Sequence, residues 1–115
     1  MSLNENILQK WASIFVTIGN PVRLAILLIL QGSKYLRGEH CLTFTEIKNV
    51  LEMPSDASLT YHLNRLLDSG LIEKMAHKDE NERVYPLYSV SQKWLDFTDE
   101  VGLAETFNEY IEKLR

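Results

Sequence analysis

Residues 55–72 read SDASLTYHLNRLLDSGLI. Leu59, Leu63, Leu66 and Leu67 recur at helical spacing, which gathers four leucines on one side of a helix. The opposite side holds Ala57, Tyr61, Asn64, Arg65 and Asp68, with Ser58 at its edge and Thr60 and His62 on the two flanks. Ser55 or Asp56 supplies an N-cap. Gly70 falls where a left-handed residue closes a helix, and Leu71–Ile72 open an extended run.

Upstream, Thr43-Phe44-Thr45-Glu46 is a capping box, and its helix runs through Ile47, Val50 and Leu51. Met53-Pro54 stops it, because the residue before proline is pushed out of helical geometry. Two short helices joined by a tight turn form a helix-turn-helix signature. Downstream, LIEKMA, the polar tip HKDENE and RVYPLYSV predict a two-stranded hairpin. Pro86 in its second strand donates no ladder bond and therefore suits an edge or bulge. A helix with a leucine inner side and short hydrogen-bonding groups outside, feeding into a hairpin, has the pattern of a DNA-reading helix followed by a wing.

The flanks are helical too. Ser2 and Glu5 fit a capping box, and Ile7, Trp11, Ile14 and Ile18 follow at 4-3-4 spacing with Leu8 and Phe15 beside them. Asn20-Pro21 begins a second helix. Its segment PVRLAILLIL is apolar nearly all round apart from Arg23, which predicts the central helix of the core. Gln31, Gly32 and Ser33 are expected to end it, and 31–42 to be a loop with a short strand at Cys41–Leu42. Ser91 caps a last helix through Trp94, Phe97, Val101, Ala104, Phe107, Ile111 and Leu114, with Gly102 marking a bend. The expected fold class is α+β, mostly helical: one winged helix-turn-helix domain over 1–115. Its parts are terminal helices at 1–19 and 91–115, the helix-turn-helix at 43–69 and the wing at 71–90.

Composition agrees with a globular domain, at 45% apolar and 24% charged residues. No basic–apolar leader with a small-residue cleavage site is visible. The most apolar run, Val22–Leu30, falls well short of the ~20 residues that span a bilayer. A cytoplasmic protein with no membrane partner is expected. The single cysteine, Cys41, has no partner within the chain for a disulfide. The net charge of −4 is unusual for a nucleic-acid binder. Residues 1–42 carry net +2, whereas 43–90 and 91–115 carry −3 each. Phosphate attraction supplies most sequence-independent affinity, so non-specific binding should be weak.

The order helix, helix, helix-turn-helix, wing, helix resembles the arsenic-repressor-like (ArsR) family of winged-helix transcriptional regulators, over roughly residues 18–91. IGNPVRLAILLIL, LTFTEIKNVL and SLTYHLNRLLDSGLIE carry the resemblance, the last through His62, Leu63, Leu66, Gly70 and Leu71. Tyr88-Ser89-Val90-Ser91 is similar to the end of that family's wing. The resemblance implies a homodimer on double-stranded operator DNA, with the first and last helices at the dimer interface. Composition points the same way, since those helices hold both tryptophans and three of four phenylalanines. The expected interface residues are Ile7, Trp11, Ile14, Trp94, Phe97, Val101, Phe107 and Ile111; ordinary packing within one chain is the alternative. Two features depart from the family, the long 31–42 stretch and the acidic wing tip.

For DNA contact the candidates are Ser58, Thr60, Tyr61, Asn64 and Arg65 on the reading helix, with Lys78 and Arg83 bracketing the wing tip. Arg65 can make a bidentate contact to guanine, and Asn64 to adenine. Lys78 and Arg83 can reach phosphates or pair with Asp79, Glu80 and Glu82. His62 suits a structural role. Arg23 is expected to pair with an acid near the start of its helix. Thiolate metal sensing needs more than Cys41, and no histidine follows His77, so neither a bound metal nor a cofactor is expected. No phosphate loop or nucleophile–base set is visible, so no enzyme is expected. The competing reading is a winged-helix protein–protein adaptor, which the acidic balance would suit; the nature of any small-molecule effector stays open.

Overall fold

The computed structural model describes residues 4–37 and 41–113. Helices α1 (Glu5–Ile18) and α2 (Pro21–Arg37) precede strand β1 (Leu42–Thr43). Helices α3 (Phe44–Leu51) and α4 (Asp56–Asp68) follow, then strands β2 (Ile72–Lys78) and β3 (Val84–Val90), and finally α5 (Gln92–Glu100) and α6 (Ala104–Lys113). This is the α+β, mostly helical winged helix-turn-helix architecture. Ser2, His40 and Leu114 lie outside the described residues.

Local capping sets most of the boundaries. Thr43 and Glu46 form the complete box, Thr43 Oγ1 accepting from the Glu46 amide and Glu46 Oε1 from the Thr43 amide. Asn20 Oδ1 accepts from the amides of Val22 and Arg23 at 2.9 and 3.1 Å. At the start of α1 the N-cap is Asn4, whose Oδ1 accepts from Ile7 N; the expected Ser2–Glu5 box involves Ser2, outside the described residues.

The central helix departs from expectation. It runs through Gln31, Gly32 and Ser33 to Arg37, where a loop was expected. Gly32 is a point of close approach: a Cβ there would sit 3.3 Å from Ile111 Cγ2 of α6. Around α2 pack α1, α3, α4, α6 and β3. Its Ile26, Leu27 and Leu30 are fully buried, in one core with Ile47 of α3 and Leu59, Leu63 and Leu66 of α4.

The expected last helix is two helices. The chain turns at 101–103, where Gly102 takes φ +76°, and Leu103 N donates to Thr98 O at 2.7 Å. This turn lets α6 fold back so that Ile111 reaches Gly32. Trp94 and Phe97 are 0% exposed, Ile14 1% and Ile111 3%, all within a single chain. Their role is intrachain, which corrects their expected place on a partner-facing surface: a side chain sealed inside its own subunit has no area left to offer. Trp94 stacks on Phe107 with centroids 5.7 Å apart, and its Nε1 donates to Gln31 Oε1 at 2.9 Å.

The sheet has the order β1-β3-β2, antiparallel throughout. Ile72 pairs with Val90 at the wing root and Lys78 with Val84 at the far end, so β2 runs two residues beyond the expected LIEKMA. Pro86 stands opposite Ala76. On its other side β1 stops at the Thr43–Leu87 pair, so the proline lies past the end of that ladder, at an open edge.

Candidate nucleic-acid interface

Helix α4 is held from three sides. Its leucines anchor the inner face. At its start Ser55 Oγ accepts from Ser58 N at 3.1 Å. At its end Gly70 takes φ +74°, with Gly70 N donating to Leu67 O and Leu71 N to Leu66 O, both at 3.0 Å. That is a Schellman closure. Two ties from the start of α5 then fix this end. Ser91 Oγ donates to Gly70 O at 2.6 Å, and Lys93 Nζ to Ser69 O at 2.7 Å. Nothing in the sequence pattern links Lys93 to a helix end 24 residues earlier.

The helix presents its outer face as expected. Ala57, Thr60, Tyr61, Asn64, Arg65 and Asp68 are exposed, and Ser58 is half-buried at the edge. Tyr61 is 58% exposed although it is a large aromatic. Arg65 is the single arginine or lysine of the helix, and among the described residues it takes no carboxylate partner. It borders a polar groove of about 320 Å³ between α4 and α1, lined also by Ser13, Val16, Thr17, Asp68 and Ser69. The five α4 candidates therefore share one continuous surface. Lys78 and Arg83 stand apart from it, at the tip of the wing.

At that tip Asp79 Oδ1 accepts from the amides of Asn81 and Arg83, both at 2.9 Å, and Glu82 takes φ +62°. Asp79 thus shapes the turn. Lys78 Nζ lies 3.8 Å from Glu82, with both side chains well exposed. A second ion pair was not anticipated from the sequence: Lys48 Nζ of α3 is 2.6 Å from Asp56 Oδ1 of α4.

His62 is turned inward. Its Nδ1 lies 3.2 Å from Arg23 Nη1. A guanidinium only donates, so Nδ1 accepts and the imidazole is neutral with its proton on Nε2. Arg23 is buried, and its Nε donates to Thr17 O at 2.6 Å. It therefore bonds a carbonyl and an imidazole, where an acid near the helix start was expected. Burial, then the neighbouring Arg23 charge, push the His62 pKa below 6.5. A base whose folded pKa is depressed has its full stability above the unfolded value and loses it as pH falls through the folded value. Thermal midpoints should thus drop as pH falls from above 6.5, and more steeply in the native chain than in a His62→Gln variant. Equal slopes would show that the contact is not titrating.

Cys41 is half-buried, and burial raises its thiol pKa, which disfavours the reactive thiolate. Among the described residues no three His, Cys, Asp or Glu side chains converge as a metal set. No single described helix is long and apolar enough to cross a membrane.

These features define the winged helix-turn-helix class. A family model for a helix-turn-helix domain matches residues 18–74, from the end of α1 into β2. Among solved structures, the chain is similar to a protein with a GntR superfamily winged helix-turn-helix domain from Halomicrobium mukohataei. The TM-score is 0.76 at 15% identity, over 99% of this chain and 78% of that one. It is also similar to an ArsR family transcriptional regulator, with a TM-score of 0.58 at 25% identity over 96% of each chain. ZitR of Lactococcus lactis gives 0.52 at 28% identity, over 97% of this chain and 80% of that one. No curated protein sequence matches. Within the winged helix-turn-helix class, the chain is similar to ArsR family regulators of solved structure.

Proposed function

We propose that the chain is a sequence-specific double-stranded DNA-binding transcriptional regulator that acts as a homodimer. The observation that carries this reading is the outer face of α4. Thr60, Tyr61, Asn64 and Arg65 stand exposed together on a helix whose every other side is fastened. Inserted in a major groove, that face offers an arginine for guanine and an asparagine for adenine. Tyr61, Thr60 and Ser58 add hydroxyls for phosphates or bases. Lys78 and Arg83 are assigned to the flanking backbone, Lys78 after release from Glu82.

The dimer reading rests on α1. Ile7, Leu8 and Phe15 are 42%, 44% and 48% exposed, with the half-buried Trp11 between them on one stripe. Phe15 packs edge-on against Phe97 and Trp11 Nε1 donates to Glu100 Oε2, so one flank of the stripe meets α5. A helix whose remaining stripe stays this exposed suits a self-complementary two-fold contact. Val101 and Phe107, both half-buried, extend the proposed surface. Two copies would place two α4 helices in successive major grooves, about 10 bp apart.

Titration of labelled genomic duplexes against competitor DNA at two salt concentrations tests the first part. Preferential binding of some fragments is expected; uniform binding contradicts the reading. Light scattering tests the second. Twice the 13.3 kDa chain mass is expected for the native protein. Leu8→Asp should give the single-chain mass while remaining folded, with a lower thermal midpoint because subunit association no longer adds to stability, and should weaken DNA binding at least tenfold through lost avidity. A native protein of single-chain mass would overturn the dimer.

A further inference from the structure

The strongest unassigned feature of the reading surface is the Lys48–Asp56 pair. Lys48 lies in the last turn of α3 and Asp56 in the first turn of α4. Each charge complements the dipole of its own helix end, and the 2.6 Å contact joins the two helices across their turn. Both groups reach solvent: the side chain of Lys48 is 36% exposed and that of Asp56 70%. In a docked helix-turn-helix the first helix crosses the DNA backbone while the second enters the groove. Lys48 therefore stands on the helix that meets phosphates, and Asp56 at the end of the helix that meets bases.

We infer that Lys48 is a DNA-phosphate contact and that Asp56 restrains it, so that phosphate must compete with an internal carboxylate for the ammonium. This rests on the DNA-binding reading above. The charge balance of the chain gives the arrangement its consequence. With residues 43–90 at net −3, few cations are available to the reading surface, and Lys48 is committed to Asp56 before DNA arrives. Sequence-independent attraction is thereby held down, which leaves a larger share of recognition to base contacts. When phosphate takes Lys48, Asp56 is left facing an anionic backbone, so the carboxylate opposes binding at every sequence alike.

The test uses the full chain with its best-bound duplex and an unrelated duplex of equal length, titrated over a range of salt. Asp56→Asn should tighten binding to both duplexes by a similar factor, about threefold or more, and steepen the dependence of log affinity on log salt by about one unit per bound subunit. Lys48→Met should weaken both duplexes by a similar factor and flatten that dependence by about one unit per bound subunit. A gain in affinity cannot come from misfolding, so the Asp56→Asn arm stands even if Lys48→Met unfolds. Unchanged or weaker binding by Asp56→Asn overturns the inference, as does an unchanged salt slope in folded Lys48→Met. Either of these results alongside specific binding by the native chain leaves the DNA reading intact. A native chain that binds neither duplex overturns both.

Discussion

Trp94→Ala should lower the free energy of unfolding by about 3–5 kcal/mol. The indole is fully buried among α2, α5 and α6, stacked on Phe107 and 6.1 Å from the Phe97 ring centroid. Its removal opens a cavity and strips Gln31 Oε1 of its donor. Gln31 is itself 2% exposed and passes a further hydrogen bond to Asn108 Oδ1 at 3.3 Å. Trp94→Phe keeps part of the volume but not the N–H, so it should cost about 1–3 kcal/mol for the unsatisfied acceptor. Urea unfolding of both variants, with unchanged slopes, gives the comparison. A loss below about 1 kcal/mol for Trp94→Ala would place the indole outside the subunit's core.

Arg65→Ala should weaken the specific DNA complex by about 1–3 kcal/mol, roughly 5- to 150-fold, and relax selectivity at one position of each half-site. Its exposure and lack of an ion-pair partner among the described residues mean that stability should stay within about 0.5 kcal/mol of the native chain. Arg65→Lys distinguishes charge from geometry. If the contact is bidentate, lysine recovers little of the selectivity. If it is only a phosphate contact, lysine recovers most of the affinity. Unchanged binding by Arg65→Ala removes this residue from the reading surface.

The features visible in the sequence were those written within one or two turns of chain. The α4 leucine stripe, the Thr43–Glu46 box, the Asn20 cap and Gly70 each depend on neighbours a few residues away. Gly32 was misleading because its reason is Ile111, far along the chain: glycine there admits a helix instead of ending one. The apolar surplus of the terminal helices was legible, but its destination was not. Periodicity cannot tell whether Trp94 and Phe97 meet the chain's own core or another subunit; the turn at Gly102 decides for the core. The outer face of α4 could be read from the helical wheel alone. Its fastening to α5 through Ser91 and Lys93, the Arg23–His62 contact and the Lys48–Asp56 pair could not, since each joins separate elements through side chains.

Selection of bound duplexes from a fully randomised library by the native chain tests the central claim most directly. The outer face of α4 on a two-fold assembly predicts enrichment of a pseudo-palindrome with half-sites about 10 bp apart. The same selection with Arg65→Ala should lose information at one position in each half. A native chain that enriches no sequence, at low salt as well as high, would contradict the account.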